Sequence, residues 1–485
     1  MLNQNELPAG VSLDELFPEA TRTGSGRVVA TSCCTDWRQL EAGDVYVALP
    51  ISGDNAEDGH EHARRAATHG AVAIVCEQPV PVFDLPTYLV ADSRVALGLL
   101  SQALVGNPSA SMPVIAVSGT LGKSTTLALL ESIFSMAGKP CGTMSNLGCY
   151  DGMSHSDGIG STPSAQTIAA RLARMEAAGC THALIEVSSR AISQACLAGV
   201  SFDSICVTNV TDAHLDLHNT VQAYRDVQRR VLDYLSPGGV VTLNADDPES
   251  MKWLDGIHGP VLTCGMGEQA EITAQVVQQF ANEQIFVLTA GSDTAAIRSS
   301  MVGEHHVANC LAAATLALSY GIDLQTIAAG IEALDRLPGR MERIDCGQGF
   351  PVYVDAADTP DALRASLRTA RQLAQGRVIC VLGDTSCHSV GADYELKLIL
   401  SRMTDLAIVS RPLAGEDDEL MGHVEVVANR GEAIACAVAM AELGDVVVIA
   451  GSQPQPMPTF GGLDDGQLAR QLLYARNESA DHLAA

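Results

Sequence analysis

The run Val114-Ile115-Ala116-Val117-Ser118-Gly119-Thr120-Leu121-Gly122-Lys123-Ser124-Thr125-Thr126 constrains this chain more than any other. An apolar β-type stretch leads into glycines and Lys-Ser-Thr, and a helical pattern follows. That is the layout of a phosphate-binding loop. The glycines let backbone N–H groups approach phosphates, and the helix N-terminus contributes its positive end. Lys123 would meet the β- and γ-phosphates, and Ser124 or Thr125 would reach a magnesium ion. The common loop places four residues between its first glycine and Gly-Lys. Here Val117 stands at that position, and Gly119 and Gly122 enclose only two residues. The competing reading is a plain glycine turn with a chance lysine. It leaves the agreement of strand, glycines, Lys-Ser-Thr and helix unexplained.

Composition sets the frame. A chain of 485 residues, 47% hydrophobic, can bury several cores, and two to four domains are expected. No apolar run approaches a membrane span, and the start Met1-Leu2-Asn3-Gln4-Asn5-Glu6 lacks the regions of a signal peptide. With 29 basic and 57 acidic residues the net charge is −28. This argues against nucleic acid or an anionic membrane as partner. Any phosphate ligand must be held locally, against the overall field. The 14 cysteines form no C-x-x-C pair, and Cys76, Cys206, Cys380 and Cys436 sit in apolar runs. That usage points to a reducing cytoplasm.

Three segments follow. Residues 1–110 hold strands near 44–50 and 71–75 around a helical stretch at 62–68, a small α/β module. Residues 111–336 begin with the phosphate loop. Strands are expected at 183–187, 204–208 and 239–243, with helices near 189–197 and 221–235. Apolar strands separated by helices imply a mostly parallel sheet covered on both faces. Residues 337–485 show a further βαβ succession. Its strands are at 352–355, 377–382, 406–410, 424–427 and 446–450, and its helices at 360–374, 432–443 and 465–475. It is Rossmann-like but has no G-x-G-x-x-G. The fold class is therefore α/β.

Ligands of open α/β sheets bind at the carboxyl ends of the strands. Glu186-Val187-Ser188-Ser189 closes one strand, and Thr208-Asn209 the next. Both are expected to face the phosphate loop. Glu186 can hold magnesium near a γ-phosphate. The alternative for Ser188 or Ser189 is a helix N-cap. His214 is a candidate second metal ligand or nucleotide contact, although a lone histidine after a strand is usually neither. His305, His306 and Asn309 are expected to precede an alanine-rich helix, and the plain reading there is an ordinary helix start.

These motifs together resemble the Mur ligases of peptidoglycan assembly, and within them the MurE branch that adds the third residue of the stem peptide. The loop at 119–125 resembles GTNGKTT, and Asp44–Pro50 with Asp58-Gly59-His60 is similar to DLFVALPG…DGH. Ser161-Thr162-Pro163 looks like TTP, Glu186–Ser189 like EVSS, and Thr208–His218 like TNLxxDHLDYH. Asn244–Asp247 matches NADD, Asn309–Ala313 NxLAA, Leu337–Ile344 LPGRMERV, and Thr359–Ala362 HTPDA. The resemblance implies a three-domain architecture: residues 1–110 for the UDP-sugar, 111–336 for ATP, and 337–485 closing to present the amine. It implies an ATP-dependent ligase that joins an amino acid to a UDP-N-acetylmuramoyl-dipeptide through an acyl phosphate. Catalytic residues would be Lys123, Glu186 and His214. Gly119, Thr120, Gly122, Lys123, Ser124, Thr125, Asn309 and Arg340 would hold the nucleotide. Ser161, Thr162 and Ser188 would contact the UDP-sugar, and Ser124, Glu186 and His214 would hold Mg2+. A cytoplasmic monomer is expected.

Departures from the family pattern cluster in catalysis and amine choice. Leu121 replaces the loop asparagine, and Cys196 an arginine. Asp212-Ala213-His214 stands for RDH, and Gln228 for the lysine whose carbamate completes the second metal site. The amine-reading segments have become Gly383-Asp384-Thr385-Ser386-Cys387-His388, Ser410-Arg411-Pro412 and Gly451-Ser452-Gln453-Pro454-Gln455. The alternative function is therefore a repurposed or inactive relative that binds nucleotide or UDP-sugar.

Overall fold

The computed structural model describes residues 10–51, 57–82, 85–156, 158, 162–211, 215–218, 220–383, 385, 390–413, 423–451 and 463–484. They fall into two compact units. One comprises Met1–Ala116, Lys139–Ile205 and Val227–Val240, and the other Val117–Gly138, Cys206–Asp226 and Val241–Ala485.

The first unit carries a five-stranded sheet in the order Thr21–Thr23, Thr87–Leu89, Ala73–Cys76, Val45–Val47, Cys33–Cys34. It is parallel apart from the edge strand Thr21–Thr23. Alternation along the strands splits the core between the faces. Val45, Val47, Ala73 and Val75 pack with Leu97 and Leu100, while Tyr46, Ile74 and Cys76 pack with Ala63 and Ala66. The Asp58-Gly59-His60 motif is structural. Asp58 accepts from the backbone N (2.9 Å) and Nδ1 (2.6 Å) of His60, whose Nε2 accepts from Glu77 N at 3.0 Å. In the same unit Cys141–Met144 runs parallel to His182–Glu186. The helix expected at 189–197 is only Ser189–Ser193. It stops because Ala195 turns left-handed (φ 52°) while Cys196 N returns to Ala191 O at 2.9 Å.

The second unit contains the helix that follows the phosphate loop, Lys123–Met136, against which Glu304–Ser319 and Leu324–Glu332 pack. Leu235–Asn244 pairs in parallel with Val261–Gly265, and that with Ile272–Gln279. Beyond this point come strands that the sequence reading did not expect. Ile272–Gln279, Gln284–Ala290 and Asp293–Ser299 form an antiparallel meander. Asp293–Ser299 alternates between exposed and buried, as a sheet with one covered face requires. A six-stranded sheet follows, in the order Glu342–Ile344, Val352–Val354, Val446–Ala450, Val378–Leu382, Leu406–Val409, Val424–Val426. Only its first pair is antiparallel. Its two faces bury separate apolar clusters, so the Rossmann-like reading of this segment holds. Among the described residues, no helix is long and apolar enough to cross a membrane.

Candidate active site

The strand Val114–Ser118 is buried throughout, and the helix begins at Lys123, so the loop is four residues long. Gly119 (φ 127°) and Gly122 (φ 83°) both occupy backbone conformations that disfavour a side chain. A β-carbon at Gly119 would lie 2.7 Å from Asn209 O, and one at Gly122 3.0 Å from Asn309 Cγ. Both glycines are thus fixed by conformation and by space.

Thr208 and Asn209 hold the loop. Thr120 N donates to Asn209 O (2.9 Å) and Leu121 N to Asn209 Oδ1 (2.9 Å). Leu121 O accepts from Asn209 Nδ2 (3.0 Å) and Thr208 Oγ1 (2.6 Å). The backbone of residue 121 is therefore clamped at both its N–H and its C=O, whatever side chain it carries. The Leu121 departure leaves the loop's shape intact. The Thr120 hydroxyl shares a 2.8 Å hydrogen bond with the hydroxyl of fully buried Tyr224. Asn244 and Asp247 support the clamp. Asn244 Nδ2 donates to Thr208 O (2.9 Å), and Asp247 Oδ2 accepts from Val210 N (2.8 Å). The Asn244–Asp247 motif is thus scaffolding.

Lys123 Nζ arches back onto Gly119 O (2.9 Å) and Thr120 O (2.8 Å). Its ammonium lies over the loop at the positive end of a 14-residue helix. Ser124 and Thr125 are buried in the first turn. Asn309 lies inside the helix Glu304–Ser319, not before it, and its Oδ1 accepts from Thr126 Oγ1 at 3.5 Å. One turn earlier on that helix are His305 and His306, with ring centroids 4.2 Å apart. Burial pushes His305 down to about 4. Burial, the His305 ring and the Arg340 charge hold His306 well below its ordinary value. Both ring nitrogens of His306 are buried without a hydrogen-bond partner.

Arg340 follows Gly339, and its Nη1 donates to Gly339 O at 3.1 Å. Its charge also bears on Asp355, which sequence reasoning missed as a site residue. Burial raises the Asp355 carboxyl to about 6, against the opposing pull of the Ser366 hydroxyl and Arg340. The sequence signal was available, since Asp355 ends an apolar strand four residues before Thr359-Pro360-Asp361.

The first unit holds the other candidates. Glu186 accepts from Asn146 N (3.0 Å) and Asn146 Nδ2 (2.9 Å). Ser188 caps the helix Ser189–Ser193 by accepting from Ala191 N, and its hydroxyl lies 3.2 Å from that of Thr162. The N-cap role is therefore present, in Ser188 and not Ser189. Gln228 is 1% exposed. Ser161 and His214 lie outside the described residues, as do Asp384, Ser386–His388 and Ser452–Gln455. In the second unit Arg411 is tied to Asp393 (2.7 and 3.1 Å) and to Thr385 Oγ1 (3.0 Å).

As for a cation, Ser124 and Glu186 offer the hard oxygen donors magnesium favours, and magnesium takes further ligands from substrate phosphates. Among the described residues no group of three His, Cys, Asp or Glu side chains could hold a metal by itself. Ser124 and Glu186, each taken by itself, have donor chemistry that suits magnesium.

A glycine loop braced on its neighbouring strand, crowned by a lysine and followed by a helix N-terminus, is the layout of a phosphate-binding loop in an α/β protein. The comparisons with known proteins carry this further. Residues 117–317 match the Mur ligase middle domain, and residues 339–453 the Mur ligase glutamate ligase domain. A UDP-N-acetylmuramoyl-L-alanyl-D-glutamate–2,6-diaminopimelate ligase of Geobacillus kaustophilus is 33% identical over 466 residues, 91% of this chain and 94% of the relative. The solved structure of a ligase of the same description superposes with a TM-score of 0.70 at 24% identity, covering 96% of this chain and 99% of that one. The MurF ligase of Thermotoga maritima, solved in complex with ADP, gives 0.64 at 17% identity, over 93% and 98%. The chain belongs to the Mur ligase family, and MurE ligases are among its relatives.

Proposed function

We propose that this protein is an ATP-dependent amide-bond ligase of peptidoglycan precursor synthesis, which adds an amino acid to UDP-N-acetylmuramoyl-dipeptide. The observation that carries the reading is the braced loop with Lys123 arched over Gly119 and Thr120. Likeness to MurE ligases over almost the whole chain supplies the substrate class. The domains are taken as 1–110 for the UDP-sugar, 111–336 for ATP and 337–485 for amine presentation. The protein works as a cytoplasmic monomer, without nucleic acid or membrane.

In this mechanism Lys123 and the loop N–H groups bind the β- and γ-phosphates. A carboxylate oxygen of the acceptor peptide attacks the γ-phosphorus, and ADP leaves. The amine then attacks the acyl carbon, phosphate departs, and the amine proton is lost. Lys123 offsets the charge that builds on the transferring phosphoryl. Asn309 and Arg340 contact the nucleotide. Ser161, Thr162 and Ser188 orient the UDP-sugar. Mg2+ would be held by Ser124 and Glu186, with His214 contributing to a second ion, and would neutralise phosphate charge. Gln228 offers no carboxylate toward that second ion.

The test is phosphate release with ATP, magnesium and UDP-N-acetylmuramoyl-dipeptide across diaminopimelate, lysine and other amines. Release that needs both acceptor and one amine is expected. No release with any amine, at concentrations where ATP binds, would overturn the ligase reading.

A further inference from the structure

Among the described residues, three that are not glycine hold a left-handed backbone: Asn107, Ala195 and Met341. Two have local reasons. Asparagine tolerates this region through its short polar side chain. Ala195 forms the stop of the helix Ser189–Ser193. Met341 (φ 47°) has neither reason. No helix precedes it, and the strand Glu342–Ile344 begins immediately after. Such strain persists only where the surroundings enforce it.

The surroundings do enforce it. The Met341 side chain is 3% exposed, in the apolar cluster with Tyr353, Leu363 and Leu367. Gly339, on the other side of Arg340, is also left-handed (φ 62°). Ala356 N donates to Gly339 O (2.8 Å), and Gly339 N to Glu342 Oε2 (3.2 Å). Glu342 in turn accepts from Arg470 Nη2 at 2.7 Å. Arg340 is thus mounted between two left-handed residues that are each pinned to the sheet. An extended backbone at 341 would rotate the peptide that joins it to Arg340 or pull Met341 out of the cluster.

We propose that Met341 is a positioning residue for nucleotide binding, whose left-handed backbone aims the Arg340 guanidinium at the nucleotide. This rests on the reading of Arg340 as a nucleotide contact. A β-branched residue cannot sit comfortably at positive φ. Met341→Ile should therefore weaken binding of a non-hydrolysable ATP analogue about tenfold, whereas Met341→Gly, free to adopt φ 47°, should stay within about threefold of the native protein. Gly339→Ala is the second probe. Its β-carbon meets only Ala356, Cβ at 3.8 Å and N at 4.0 Å, both ordinary contacts, so any loss of affinity comes from backbone strain.

The deciding measurement is calorimetric titration of these variants, alone and combined with Arg340→Ala. In the Arg340→Ala background, Met341→Ile should cause no further loss, since nothing remains to be aimed. A purely structural role for Met341 would give additive losses and would overturn the proposal. So would native affinity in folded Gly339→Ala and Met341→Ile. Should Met341→Ile not fold, Gly339→Ala alone decides. If Arg340→Ala itself binds the analogue normally, the nucleotide reading of Arg340 fails, a result distinct from failure of the aiming.

Discussion

Gly122 and Asn309 are fitted to each other across 187 residues of chain: the α-carbon at 122 lacks a side chain where the Asn309 carboxamide lies, its Cγ 3.0 Å from where a β-carbon would be and its Oδ1 closer still. Gly122→Ala should therefore act twice. It strains a backbone held at φ 83° by roughly 1–2 kcal/mol and displaces Asn309. Nucleotide affinity should fall by at least about tenfold with the protein still folded. Unchanged affinity would show that Asn309 does not shape the site.

Lys123→Ala removes the ammonium over the loop. Loss of a charge-assisted contact should weaken ATP binding by about 100-fold. Thermal stability should change little, because Asn209 and Thr208 still hold the loop. Calorimetric titration with ATP and a melting curve check the two halves separately.

Asn209, not the side chain at 121, sets the loop's shape. Asn209→Ala removes two hydrogen bonds to Leu121 and should destabilise the second unit by roughly 2 kcal/mol. Leu121→Asn, which restores the family residue, should change stability by no more than about 0.5 kcal/mol. Melting temperatures in the reverse order would contradict the clamp.

Asp355 and His305 titrate with opposite effects. Asp355 shifts from its ordinary 3.8 up to about 6 on burial, so between these values the folded state binds the extra proton. Stability from this group is greatest near pH 4 and is lost as pH rises through 6, by roughly 1.4 kcal/mol per pH unit. His305 shifts down from 6.5 to about 4. Here the unfolded state binds the extra proton, so stability is full above pH 6.5 and falls as pH drops toward 4. The two trends oppose each other in native protein. Asp355→Asn should expose the histidine trend, with melting temperature rising from pH 4 to 6.5 more steeply than in the native protein. A shallower rise would show that Asp355 does not carry its proton in the fold.

Which features were legible follows from where their information lies. The phosphate loop is local: thirteen consecutive residues hold strand, turn, lysine and helix start, and the structure has all four. The apolar strands were equally plain, because Val378–Leu382 and Val446–Ala450 are buried on both faces. The meander at 272–299 was missed, since its alternation with many glutamines and alanines reads as polar rather than β. The helix at 189–197 was overextended because nothing in Ala195 announces a left-handed stop. Partners distant in sequence, such as Tyr224 for Thr120, Asp355 beside Arg340 and Asp393 for Arg411, are set by tertiary packing that no local pattern encodes.

Amide-bond formation is what separates a ligase from a plain nucleotidase. Mass spectrometry of the UDP-N-acetylmuramoyl-dipeptide after incubation with ATP, magnesium and a mixture of amino acids tests it most directly. The expected product is heavier by one amino acid less one water, formed with one ADP per product and absent for Lys123→Ala. ADP and phosphate accumulating beside an unchanged UDP-sugar peptide would contradict it and identify a nucleotidase instead.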